Sequence, residues 1–228
     1  VSLALGGPHK KVSFSVPTGN FGDIFAGYLA HQMGLPIEQL VIATNQNDIL
    51  HRCISENDHS TQPLQQSLAP SMDIMISSNF ERLLFDLYDR DGEQIAHLMA
   101  DAKSGHMKLS DTSLAKARKL FSSYRCGDEG MVEVIRSTYE DSGYLLDPHT
   151  AIGLAAAREC SSNKSTPMIT LATAHPAKFP DAVKQAGYHE DPALPPHMAD
   201  LFDREEQYTV LDNDKSAVQT FIGENITS

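Results

Sequence analysis

Val12–Pro36 reads VSFSVPTGNFGDIFAGYLAHQMGLP. An apolar, β-branched run (Val12, Phe14, Val16) breaks at Pro17 and passes into Thr18-Gly19-Asn20-Phe21-Gly22-Asp23. Ile24, Phe25, Tyr28 and Leu29 then recur at helical spacing, until Gly34 and Pro36 stop the pattern. A strand that turns through glycines into a helix N-terminus makes an anion site, because first-turn N–H groups lack intrahelical partners and the helix dipole favours negative charge. Gly19 and Gly22 allow a tight curl and close backbone approach, since neither carries a Cβ. The segment points to an α/β fold and to a bound phosphate group.

The Gly-x-x-Gly spacing is neither the Walker pattern nor the dinucleotide fingerprint, and by itself it serves a phosphate cradle and a plain structural turn equally well. The full string Pro17–Asp23 is more restrictive. It resembles the phosphate loop of pyridoxal-phosphate enzymes of the tryptophan-synthase-β fold, most closely that of the threonine synthases. Further strings resemble that family in the same order: Leu40–Asp48 as a strand with a polar end, Ser71-Met72-Asp73-Ile74 with Ser77–Arg82, Asp147-Pro148-His149-Thr150-Ala151, and Thr173–Phe179. The likeness runs from about Val12 to beyond Phe179, and the tail past Glu190 carries no such string.

The resemblance implies a mostly parallel sheet with covering helices, the large domain of fold type II. Residues 1–228 would form the C-terminal part of that domain, with a helical insertion at about 82–145. It implies pyridoxal 5'-phosphate as cofactor, held by Thr18, Gly19, Asn20, Phe21, Gly22 and Asp23, with Thr173 at the pyridine nitrogen. Asn79, Arg82, His175 and Lys178 become candidates for substrate contact. The implied reaction converts the small-molecule substrate O-phospho-L-homoserine and water into L-threonine and phosphate. The family's Schiff-base lysine sits in a Ser-x-Lys-Asp-like setting well before the phosphate loop. None of Lys10, Lys11, Lys103, Lys108, Lys116, Lys119, Lys164, Lys178, Lys184 and Lys215 has that setting. No catalytic residue is therefore expected within the chain, which reads as lacking the N-terminal domain and as inactive alone; the start at Val1 without Met fits this. The alternatives are another lyase of the same fold, of threonine dehydratase or cysteine synthase type, and a non-enzymatic phosphate-binding α/β module.

Hydrophobic residues are 41% and charged residues 21%, enough apolar side chain for a real core. The formal net charge of -12 argues against nucleic acid or an anionic membrane as partner. No run approaches a membrane span. Cys53, Cys126 and Cys160 are odd in number and widely spaced, which suggests a reducing compartment, the cytoplasm. The ten histidines show no i, i+4 pairing or cysteine partners, so no metal site is expected.

Strands are expected at Val12–Val16, Leu40–Thr44 and Met168–Thr173, and helices at Asp23–Met33, around Ile49–Ser55 and at Pro180–Ala186. From Phe80 to about Asp141 the pattern is amphipathic helix broken at Asp89–Gly92, including Leu114–Tyr124 and Met131–Tyr139. Glu190–Pro196 is proline-rich and reads as a surface loop. Several residues have plainer readings. Asn20 and Asp23 also suit helix capping, and Asp23 is expected to point away from a phosphate. Thr173 also suits a strand end, Arg82 a solvated surface, and His175 a structural loop. Asp147-Pro148 reads as an N-cap with Pro at N1, which makes His149 a polar residue of a first helical turn.

Overall fold

The computed structural model describes residues 1–226, and the chain divides into two compact units, Val1–Pro192 and Ala193–Ser228. The sequence reading treats the chain as one domain; the division falls inside the proline-rich stretch Glu190–Pro196.

The first unit is built on a four-stranded parallel sheet of β1 (Val12–Pro17), β2 (Ile37–Thr44), β3 (Phe121–Arg125) and β4 (Met168–Thr170), in the order β3-β2-β1-β4. Its helices are α1 (Gly22–Gln32), α2 (Ile49–Glu56), α3 (Phe80–Leu87), α4 (Gly92–Lys103), α5 (Asp111–Arg118), α6 (Asp128–Ser142), α7 (Pro148–Cys160) and α8 (Pro180–Gln185). Side chains alternate across a strand, and β2 uses both faces. Leu40 and Ile42 pack with Phe21, Ile24, Leu50, Leu83 and Phe121, while Val41 and Ala43 pack with Met131, Ile135, Ile152 and Ala156. Helices α1 to α5 thus contribute to one core and α6 to α8 to the other. A strand buried on both sides reads as the unbroken apolar run Leu40–Ala43, as a parallel sheet requires.

Helix α7 fits closely against β1. Gly153 faces Pro17 and Thr170, where a Cβ would lie 3.1 Å from Pro17 Cγ and from Thr170 Cγ2, and its carbonyl accepts from Ser15 Oγ at 2.6 Å. A side chain at Gly153 would push the end of β1, and the loop after it, out of place.

Three sequence expectations change. The helical pattern over Leu114–Tyr124 does not run through: α5 stops at Arg118, and Phe121–Arg125 becomes the edge strand β3, paired with Leu40–Thr44. Leu114 and Ala117 are buried at helical spacing, but the residues after them find better partners in the open edge of β2, a tertiary gain that outweighs local pattern. The stretch 82–145 is therefore not wholly helical. Strand β2 starts at Ile37 rather than Leu40. Strand β4 ends at Thr170 rather than Thr173. The β1–β4 ladder runs from Ser13 N–H···O=C Pro167 to Leu171 N–H···O=C Ser15, and the next donor on β1 would be Pro17, which has no N–H.

The second unit holds two short 3-10 turns, Pro196–Met198 and Leu201–Asp203, and helix α9 (Lys215–Asn225). The Asp214 carboxylate caps α9 by accepting from Ala217 N–H at 2.9 Å. Among the described residues, no helix is long and apolar enough to cross a membrane.

Candidate functional site

The loop between β1 and α1 is held at both ends and open in the middle. At its start, Thr18 N–H donates to Ala43 O at 2.8 Å, and the Thr18 hydroxyl donates to Val16 O at 2.6 Å. At its end, Gly22 N–H donates to Asn20 Oδ1 at 2.9 Å, and Phe25 N–H donates to Phe21 O. Between these ties, the amides of Gly19, Asn20, Phe21, Asp23 and Ile24 have no hydrogen-bond partner among the described residues. Five free donors in six residues, at the positive end of an eleven-residue helix, have the chemistry to receive an anion, which makes the loop a candidate cradle.

The cradle is rigid. Phe21 has φ 68°, a left-handed conformation that costs a side-chain-bearing residue about 1–2 kcal/mol. Its ring is fully buried and packs edge-on to Phe80 with centroids 5.1 Å apart, and 5.8 Å from Phe121. Aromatic packing of that kind offsets the backbone strain. Outside the loop, Ser77 Oγ donates to Gly19 O at 3.0 Å, and Asn79 donates to Asn20 O through its backbone N–H (3.0 Å) and through Nδ2 (3.1 Å). Both carbonyls are thus satisfied by donors from outside the loop, while the amides between them remain unpartnered.

Space, not a left-handed dihedral angle, sets the demand for glycine at Gly19 and Gly22. A Cβ on Gly19 would sit 3.0 Å from Ser71 O and 2.8 Å from Ile74 Cδ1. A Cβ on Gly22 would sit 3.1 Å from Asn20 Oδ1 and 3.3 Å from Asn79 Nδ2. Asp23 lines the groove beside β1 with Ala26, Gly27 and Leu40, and burial raises the pKa of its carboxyl.

The strap that walls the loop, 67–74, is tied down by a partly buried polar cluster. Asp73 Oδ1 accepts from Asn45 Nδ2 (2.7 Å), Asn47 Nδ2 (2.9 Å) and Ser67 Oγ (2.6 Å), and Asp73 Oδ2 accepts from Ser67 N–H (3.0 Å). Asn45, Asn47 and Asp73 therefore clasp strap to strand end, and Arg52 ties the start of α2 at Asp48 to the chain after it at Asp58.

The other expected site residues spread out. Asn79 meets the loop directly. Arg82 lies exposed in the first turn of α3. Thr173 is exposed beyond β4, in the segment that leads to His175 and Lys178. His175 Nδ1 accepts from Ala177 N–H at 3.2 Å, and the Lys178 ammonium lies 5.6 Å from the Phe179 ring centroid. Among the described residues, no hydrogen bond or ion pair joins Arg82, Thr173, His175 or Lys178 to the loop. Ser71, Ser77 and His149 do support it, and sequence reasoning missed them. Ser71 and Ser77 lay inside quoted strings, but their use depends on contacts with residues far along the chain. Among the described residues, no cluster of His, Cys, Asp and Glu could hold a metal ion. Burial pushes the Cys53 thiol up to about 12 and Cys126 up to about 11, so both are inert thiols.

Residues 150–222 match the family described as "Threonine synthase, C-terminal". Over 225 residues the chain is 58% identical to the threonine synthase of Pseudomonas aeruginosa, covering 98% of this chain and 48% of that protein. Among solved structures, the PLP-bound threonine synthase of Brucella melitensis aligns with a TM-score of 0.89 at 50% identity, over 97% of this chain and 48% of the other. The yeast threonine synthase aligns with a TM-score of 0.83 at 39% identity, over 96% and 48%. The chain spans about half the length of the curated relatives it matches. By sequence and by fold it belongs with the threonine synthases, over about half of their length.

Proposed function

We propose that the chain forms the phosphate-holding half of the active site of a pyridoxal-phosphate-dependent threonine synthase, the enzyme that converts O-phospho-L-homoserine and water into L-threonine and phosphate. The observation that carries this reading is the set of five unpartnered amides over Gly19–Ile24, at a turn where a Cβ on Gly19 would press on the Ser71 carbonyl. These groups fit a phosphate monoester, which accepts hydrogen bonds on three oxygens and favours the positive end of a helix. The likeness to a PLP-bound threonine synthase supports the same ligand here.

When bound, the pyridoxal ring supplies an electron sink for the substrate's amino-acid carbons. The chain's own residues bind and orient. The loop amides hold the cofactor phosphate, and Ser77 and Asn79 satisfy the loop carbonyls. Thr173 partners the pyridine nitrogen; a hydroxyl there does not hold that nitrogen protonated as a carboxylate would, which suits elimination and replacement. Asn79, Arg82 and Lys178 take the substrate phosphate, for which Arg and Lys have the right charge and donors, and His175 lines the pocket beside them. No proton-transfer role is given to a residue of this chain. The likeness to threonine synthases at up to 58% identity favours that activity over a dehydratase or cysteine synthase. We place the protein in the cytoplasm, a reading supported by its three free cysteines.

A chimera tests the reading. The chain replaces the matching half of the Pseudomonas aeruginosa relative, and the purified product is given pyridoxal phosphate and O-phospho-L-homoserine. The expected result is phosphate and threonine formed in equal amounts, with none from the 228-residue chain alone. A folded, cofactor-loaded chimera that eliminates phosphate but makes no threonine would place the chain among the other lyases.

A further inference from the structure

Three of the sequence strings meet at one buried histidine. His149, in the first turn of α7, is 3% exposed, and its ring packs against Phe179 with centroids 4.6 Å apart. Both ring nitrogens are engaged. Nδ1 lies 3.1 Å from Asp147 Oδ1, and Nε2 lies 3.2 Å from Ser71 N. Ser71 can offer only its N–H there, so Nε2 must accept, and the ring is a neutral imidazole with its proton on Nδ1, donated to Asp147. Asp147 is itself fixed, since Oδ1 also accepts from the backbone N–H groups of His149 (2.9 Å) and Thr150 (3.3 Å) and Oδ2 accepts from the Thr150 hydroxyl.

Ser71 is the residue whose carbonyl walls Gly19. A Cβ on Gly19 would lie 3.0 Å from Ser71 O and 3.5 Å from Met72 Cα, so the turn at 70–72 rests directly on the cradle. Asp73 anchors the far side of that turn through Asn45, Asn47 and Ser67. His149 anchors the near side. A ring with both nitrogens so constrained sets the height of the wall to within a hydrogen bond's tolerance.

We infer that His149 is a positioning residue for the phosphate loop: oriented by Asp147, it holds the Ser71 turn against Gly19 and so sets the spacing of the free amides. The inference rests on the proposal that this loop binds the cofactor phosphate, and it adds a long-range support from α7 to a residue whose plain reading is local.

The test separates phosphate recognition from folding. Affinities of the full chain for pyridoxal phosphate and for pyridoxal, which lacks only the phosphate, are compared in wild type, His149→Leu and His149→Gln. Leucine cannot accept from Ser71 N–H, whereas the glutamine side-chain oxygen can. His149→Leu should lose about tenfold in preference for pyridoxal phosphate, with pyridoxal binding changed less than twofold, and His149→Gln should recover most of that preference. A folded His149→Leu chain with unchanged preference overturns the inference and leaves the loop assignment standing. A wild-type chain that does not distinguish the two compounds overturns the loop assignment instead, and the inference with it. If His149→Leu does not fold, amide hydrogen exchange on wild type decides. Pyridoxal phosphate should slow exchange at Ser71 together with Gly19–Ile24, and slowing at the loop alone overturns the inference.

Discussion

Gly19→Val is expected to weaken pyridoxal phosphate binding at least about a hundredfold while leaving the fold intact. The Cβ alone would press on Ser71 O at 3.0 Å, a backbone atom that cannot swing aside, as well as on Ile74 Cδ1, which can. Valine adds two methyls to that contact, so the loop must shift away from the strap and the five free amides lose their common focus. A hundredfold loss corresponds to about 2.7 kcal/mol, the equivalent of one or two charge-assisted hydrogen bonds. Gly22→Ala should be milder, because its Cβ would meet only side-chain atoms of Asn20 and Asn79 that can rotate. Absorbance titration reads both variants, with thermal melting as the control for folding. A Gly19→Val protein that binds within threefold of wild type would show that the loop is a structural turn.

Asp147→Ala is expected to be the most damaging of these substitutions to stability. Asp147 is 1% exposed and accepts from two backbone N–H groups, the Thr150 hydroxyl and His149 Nδ1. Alanine removes the cap and strands those buried donors, a combined cost of about 3 kcal/mol. For a protein of this size that lowers the melting temperature by roughly 6–12 °C. Burial is the largest single influence on this carboxyl and opposes its ionisation. The hydrogen bonds from His149 and Thr150, taken together, outweigh it and hold the pKa below the ordinary aspartate value of 3.8. A pKa depressed on folding contributes stability that is fully present above 3.8 and is lost as pH falls through the folded-state value. Wild type should therefore lose melting temperature more steeply than Asp147→Ala when acidified below about pH 4. Parallel acid profiles for the two proteins would contradict that account.

The sequence was most legible where one local pattern decided the outcome. Val12–Pro36 carries its strand, turn and helix in consecutive residues, and the structure forms them as β1, the loop and α1. Asp147-Pro148 marks the start of α7 for the same reason: capping chemistry is local. Legibility failed where a distant partner decided. Leu120, Phe121 and Tyr124 sit at spacings compatible with helix or strand, and only the open edge of β2 settles the choice. The early end of β4 depends on Pro17, which lies on another strand. At the candidate site, the two glycines could be read as a tight turn into a helix, whereas the cofactor role of the loop came only from the family likeness of the full string Pro17–Asp23. The supports could not be read, because Ser77 meets Gly19, and His149 meets Ser71, only after the chain has folded. The left-handed Phe21 left no sequence signal at all, since an aromatic residue is an unfavourable choice for that conformation and is held there by Phe80 and Phe121.

A crystal structure of the protein with pyridoxal phosphate bound tests the central claim most directly. The account predicts the phosphate at the start of α1, its oxygens about 2.7–3.1 Å from the free amides of Gly19–Ile24, with Ser77 and Asn79 still bonded to the loop carbonyls. A phosphate held elsewhere by side chains, with those amides left to water, would contradict it.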